Sequence, residues 1–85
     1  MKNDRNSIAE GVMTAVATVT GMTAAELRPD TELVIDLCLD SLGMFELVID
    51  LEEVYDLKIS DEDIDRIHTI DDIINYIFRQ TGNDQ

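Results

Sequence analysis

The sequence is poor in positive charge, cysteine, proline and aromatic side chains, and each shortage excludes something. Six Lys and Arg stand against 19 Asp and Glu, a formal net charge of −13. A chain so acidic repels nucleic acid and anionic membrane surfaces and attracts partners with basic docking sites. Self-repulsion also points to modest stability that improves with salt or divalent cations. The one cysteine, Cys38, cannot close an internal disulfide, which excludes an oxidised secreted scaffold. One proline and four glycines are too few for a disordered, low-complexity chain. No apolar stretch approaches transmembrane length, and "MKNDRNSIAE" lacks the apolar run of a signal peptide. The expected compartment is the cytoplasm, without membrane insertion.

What is present suits one small core. Hydrophobic residues make up 45% of the chain, and 85 residues are too few to divide them between two cores. A single domain over residues 1–85 is predicted, with its ordered core at about 4–80 and Gly82 as its end.

Four segments carry helical periodicity and none alternates with period two. Ile8, Val12, Ala15, Val16 and Val19 define the first, and Gly21 stops it. Its Thr and Val residues are poor helix formers, so packing must hold it. A long connection follows, with a capping-box pattern at Thr23–Glu26 and a breaker at Arg28-Pro29-Asp30. Leu27, Leu33, Val34 and Leu37 are expected to pin this loop to the core. Asp40 is the predicted N-cap of the second helix, which runs to about Tyr55. Ser60 with Asp63, and Thr69 with Asp72, form two more capping patterns. They open a short segment, "DEDIDRI", and a last helix with Ile70, Ile73, Ile74, Ile77 and Phe78 on its apolar side. The fold class is all-α: a small helical bundle of three longer helices and one short one, with a long loop between helices one and two.

The second helix has two apolar faces. At about 100° per residue, Met44, Leu47, Val48, Leu51, Val54 and Tyr55 cover one side, wide enough to be the core face. Leu42, Phe45 and Ile49 fall on the other, among Glu46, Glu52, Glu53 and Asp56. Scattered apolar side chains and solvated acids are one reading of that second face. A docking surface is the other: the acids steer a basic partner while Leu42, Phe45 and Ile49 supply contact energy.

No catalytic constellation emerges. The only histidine, His68, precedes the last helix, and nothing in the spacing sets it beside Ser41 as a base. Gly-x-Ser-x-Gly and phosphate-binding Gly-rich loops are absent, so the chain is not expected to be an enzyme. Asp61, Asp63 and Asp65 mimic the start of a calcium loop, but Arg66 occupies the position of the obligatory Gly and Asp72 that of the final Glu. These acids fit the first turn of a helix, with loose divalent-ion binding as a minor alternative. Cys38, inside the apolar run "DLCLD", is expected to be a buried, inert thiol. Ser41 remains either a capping residue or an attachment point. A serine at the first helical position suits a phosphate ester, since free N–H groups and the helix dipole stabilise an anion there.

The stretch "DLCLDSLGMFELVIDLEEVYDLKISDEDIDRIHTIDDIINYI" resembles the central and C-terminal part of an acyl carrier protein. Asp40-Ser41-Leu42 matches the family's Asp-Ser-Leu signature. It is followed by a helix of the form "ELV..LEE.Y.L.I", then "DED", then "I.TI.D...YI", over roughly residues 31 to 78. The resemblance implies an acyl-carrier-like bundle in which Ser41 bears 4'-phosphopantetheine, flanked by Asp40 and Leu42. A phosphopantetheinyl transferase would install it from coenzyme A with magnesium, and the terminal thiol would hold acyl groups as thioesters. The resemblance further implies that Leu42, Phe45, Glu46, Ile49, Glu52 and Glu53 meet partner enzymes with basic patches. Those partners are acyl-loading and chain-extending enzymes such as an acyltransferase or ketosynthase of fatty-acid, polyketide or related lipid biosynthesis. A slot for the acyl chain would be lined by core-face residues such as Leu47 and Leu51. A monomer is the expected state for a shuttle.

Three positions depart from the family pattern. Cys38 stands where many such carriers have Gly, Gly43 where they have an acid, and Ser60 where Pro is frequent; with the bulky Phe45 they hint at a dedicated pathway. An aminoacyl or peptidyl carrier, and an acidic interaction module in which Ser41 is only structural, are the competing readings.

Overall fold

The computed structural model describes residues 4–82. The ends of the 1–85 domain, residues 1–3 and 83–85, lie outside that range, and with them whatever follows Gly82. Helix α1 spans Arg5–Thr20. Asp4 caps it by accepting the Ser7 N–H at 2.8 Å. Gly21 closes it in the left-handed region at φ 81°, donating to the Ala17 carbonyl, a conformation glycine reaches without Cβ strain. Thr14, Thr18 and Thr20 hold their hydroxyls within the helix by donating to the carbonyls four residues back. Ile8, Val12, Ala15 and Val16 face the core.

The connection to α2 is ordered along its length. It contains a 3₁₀ turn, Ala24–Glu26, where the Glu26 carboxylate accepts the Thr23 N–H as the capping pattern predicts. Its second half is buckled onto the start of the last helix. The Pro29 and Thr31 carbonyls accept the N–H groups of Asp71 and Ile70, and Leu33 N–H donates to His68 carbonyl at 2.8 Å. These contacts satisfy helix-terminal donors that water would otherwise have to take. Leu27 and Leu33 are buried and Leu37 partly so, as expected, but Val34 is exposed. Consecutive turn residues cannot all point inward: Leu33 takes the core and leaves Val34 and Ile35 at the apex.

Helix α2 spans Ser41–Tyr55, α3 Asp61–Arg66 and α4 Ile70–Ile77, the last prolonged by a wider π turn over Phe78–Gly82. The predicted caps start each of them. Asp63 N–H donates to the Ser60 hydroxyl, which in turn donates to the Asp63 carboxylate. At Thr69, one Asp72 carboxylate oxygen accepts the N–H groups of both His68 and Thr69. Burial of Asp72 opposes its ionisation, yet the donors from His68 and Thr69 outweigh it and hold the carboxyl below its ordinary value. Ile70, Ile73, Ile74 and Ile77 are buried against α1. Tyr76, also buried, reaches from α4 to the Lys58 carbonyl and the Asp63 carboxylate, tying the short α3 in place.

One predicted core residue of α2 is not in the core. Leu47, Val48 and Leu51 are buried and Met44 and Tyr55 partly so, but Val54 is 60% exposed. It borders an open groove lined on the α1 side by Ser7, Glu10, Gly11, Thr14, Ala15 and Thr18.

Candidate functional site

The segment ahead of α2 presents one serine. Leu37 and Leu39 both turn toward the core, and the backbone between them reverses through a left-handed residue, Cys38, at φ 59°. That reversal puts the thiol outward. Cys38 is exposed and not the buried thiol that its apolar neighbours suggested. Asp40 then caps α2, its Oδ1 accepting the Gly43 N–H at 2.8 Å. Ser41 follows as the first helical residue. It is exposed, and its hydroxyl makes no hydrogen bond among the described residues. Gly43 fits close under Leu39, since an added Cβ would lie 2.9 Å from the Leu39 Cδ2. The absence of an acid side chain at 43 thus goes with the leucine at 39.

Ser41 opens onto a cleft of about 610 Å³ between the loop, α2 and α3. Val34 and Leu39 from the loop, Met44 and Phe45 from α2, and Ile64 and Ile67 from α3 and its end give it apolar walls; Asp40, Asp61, Asp65 and His68 are its charged or titratable members. Leu47 and Leu51 are sealed in the core and do not line this cleft. Ile64 and Val34 do, and sequence reasoning missed both. The α3 contribution was in principle readable from the single apolar residue in "DEDIDR", which must face inward. His68 shares the cleft with Ser41, a proximity no sequence spacing revealed, because it depends on the loop being buckled to α4.

The outer face of α2 is as the wheel drew it. Leu42, Phe45 and Ile49 are 65%, 56% and 48% exposed, with Glu46 and Glu53 exposed beside them. Glu52 differs: it is half-buried, and its Oε2 accepts the Ile59 N–H at 2.8 Å, bracing the turn between α2 and α3. Asp61, Glu62 and Asp63 occupy the first turn of α3, where the helix dipole favours them.

The residues at this site fit a phosphopantetheine group. The hydroxyl is free for esterification, a helix N-terminus stands ready for the ester's negative charge, and an apolar cleft lies alongside. The family model of the phosphopantetheine attachment site matches residues 10–77. The chain is 40% identical over 76 residues to an acyl carrier protein of Solidesulfovibrio magneticus, covering 89% of this chain and 97% of that one. It is 36% identical over 73 residues to a meromycolate extension acyl carrier protein of Mycobacterium leprae, 86% of this chain but 64% of that longer one. Among solved structures, one described as an acyl carrier protein from Mycobacterium tuberculosis superposes with a TM-score of 0.79 at 27% identity, covering 86% of this chain and 97% of that chain. Proteins of this kind carry phosphopantetheine installed by a phosphopantetheinyl transferase and work with biosynthetic enzymes. The chain belongs to the acyl carrier protein family and is a carrier, not an enzyme.

Proposed function

We propose that Ser41 is the attachment point of 4'-phosphopantetheine and that the outer face of α2 docks the enzymes that load and extend the cargo. The observation that carries the first part is the exposed, unbonded hydroxyl at the first residue of α2, within Asp40-Ser41-Leu42 and beside an apolar cleft. When bound, the group supplies a terminal thiol that holds an acyl chain as a thioester. In loading, the Ser41 oxygen forms a bond to the phosphorus of coenzyme A while the pyrophosphate P–O bond breaks and the adenosine bisphosphate leaves. The hydroxyl proton goes to the transferase, since among the described residues no base hydrogen-bonds to Ser41.

The remaining residues position and recruit. Asp40 fixes the start of α2 and so the direction of the serine. Leu42 stands beside it, and with Phe45 and Ile49 forms an exposed apolar strip that a partner desolvates. Glu46 and Glu53 add charge that steers a basic patch, within a field set by the net charge of −13. Glu52 contributes to that field while its carboxylate serves the fold. The partners are acyltransferase- or ketosynthase-like enzymes of fatty-acid, polyketide or related lipid biosynthesis in the cytoplasm, and the carrier visits them as a monomer. The names of the relatives support acyl cargo over aminoacyl cargo. Among the described residues no helix is long and apolar enough to cross a membrane.

Intact-protein mass spectrometry tests the attachment. After incubation with coenzyme A, magnesium and a promiscuous phosphopantetheinyl transferase, the protein gains the mass of one phosphopantetheine and Ser41→Ala gains none. A gain that persists in Ser41→Ala, or no gain in a folded protein across several transferases, overturns the assignment.

A further inference from the structure

We propose that His68 receives the phosphate of the phosphopantetheine at Ser41, its imidazole donating a hydrogen bond to that anion in the cleft the two residues share. The inference rests on the reading of Ser41 as attachment point and adds to it a second residue that holds the group.

His68 has a fixed backbone and an exposed ring. Its N–H donates to the Asp72 carboxylate at 2.9 Å and its carbonyl accepts the Leu33 N–H at 2.8 Å. The backbone is thereby held from both sides, by the cap of α4 and by the loop. The imidazole is exposed, lines the cleft with Ser41, and makes no hydrogen bond or ion pair among the described residues.

The charges around it leave one place for an anion to be met. Asp40 from the loop, and Asp61 and Asp65 from α3, line the same cleft; Asp72 lies behind His68 on α4. The residues of α2 that line it, Ser41, Met44 and Phe45, bring no charge. Asp40 is committed to the Gly43 N–H, and Asp72 to the N–H groups of His68 and Thr69. Asp61 and Asp65 therefore compete with the phosphate for the imidazole, as does Asp72, whose carboxylate also attracts the His68 ring; among the described residues no Lys or Arg lines the cleft. An anion introduced at Ser41 faces carboxylates, and among the described residues of the cleft His68 is the one side chain whose ring can turn an N–H toward it. The imidazole presents an N–H donor, and an oxygen of the phosphodiester accepts it.

Phosphorus NMR of the loaded protein tests this, with loading checked first by intact mass. The phosphodiester resonance of the loaded wild type is expected to be displaced from that of loaded His68→Gln recorded at the same pH. A nuclear Overhauser contact between the His68 ring protons and the methylene next to the phosphate should appear in the loaded wild type. The chain has a single histidine, so the ring signals are unambiguous. The same phosphorus resonance in wild type and His68→Gln, or no ring contact in the loaded wild type, overturns the role of His68 and leaves Ser41 untouched. Failure to load at Ser41 overturns both.

Discussion

The Tyr55 hydroxyl lies where a Cβ on Gly11 would be, and it donates from there to the Ile8 carbonyl at 3.3 Å. The glycine lets α2 approach α1 with a tyrosine between them, and burial raises the phenol's pKa above 10.0. Glycine inside a helix ordinarily costs about 0.5–1 kcal/mol relative to alanine. Here the sign reverses. Gly11→Ala is expected to destabilise by about 1–3 kcal/mol, because the ring is packed and its Cζ stands 3.2 Å from the new methyl. In a Tyr55→Phe background the added methyl loses its worst neighbour, and the same substitution costs clearly less. Urea denaturation of the two single variants and the double closes the cycle; additive effects would sink the argument.

Among the acids of α2, structure and docking separate. Glu52→Ala strips the buried Ile59 of the acceptor for its N–H and should cost about 1–3 kcal/mol. Glu46→Ala and Glu53→Ala, at exposed positions, should stay within about 0.5 kcal/mol of wild type while weakening salt-dependent association with a basic partner enzyme. Equal stability losses at all three positions would contradict the division.

Most of this architecture was legible in the sequence because it is written in local signals. Asp40, Ser60 and Thr69 cap the helices their spacing announces, and Gly21 ends the first where its lack of a Cβ allows. The outward strip of Leu42, Phe45 and Ile49 follows from helical period alone. What stayed hidden depends on chain reversals and on neighbours. Val54 falls on the core side of the wheel but borders an open groove between α2 and α1. Glu52 reads as one more surface acid until the backbone of Ile59 arrives beside it. The cleft at Ser41 needs α3 and the loop in place, so Ile64 and His68 could not be assigned to it from spacing.

Cys38 illustrates the same limit and carries a prediction. Its apolar neighbours suggest burial, yet the left-handed backbone at φ 59° turns it outward. Iodoacetamide should therefore alkylate it in the folded protein without denaturant. Cys38→Gly should be at least as stable as wild type, whereas the β-branched Cys38→Val should lose about 1 kcal/mol or more. Protection of the thiol until the protein unfolds would show that the reversal is misplaced.

Asp72 gives the acid limb of stability a specific owner. Its carboxyl is held below the ordinary value of 3.8 because, although burial opposes the charge, two backbone donors and the Thr69 hydroxyl region favour it. A carboxylate with a depressed folded pKa contributes stability that is present above the unfolded value and lost as pH falls through the folded one. Asp72→Asn should thus be less stable than wild type at neutral pH. The gap should hold down to about pH 4 and close below that, where both side chains are neutral. Comparing the two proteins at each pH cancels the titration of the other acids, which they share. Urea midpoints measured from neutral pH down to about pH 2 read the gap directly. A gap that stays constant through the acid range would mean that the amide's fit in the cap, and not the lost charge, sets the cost.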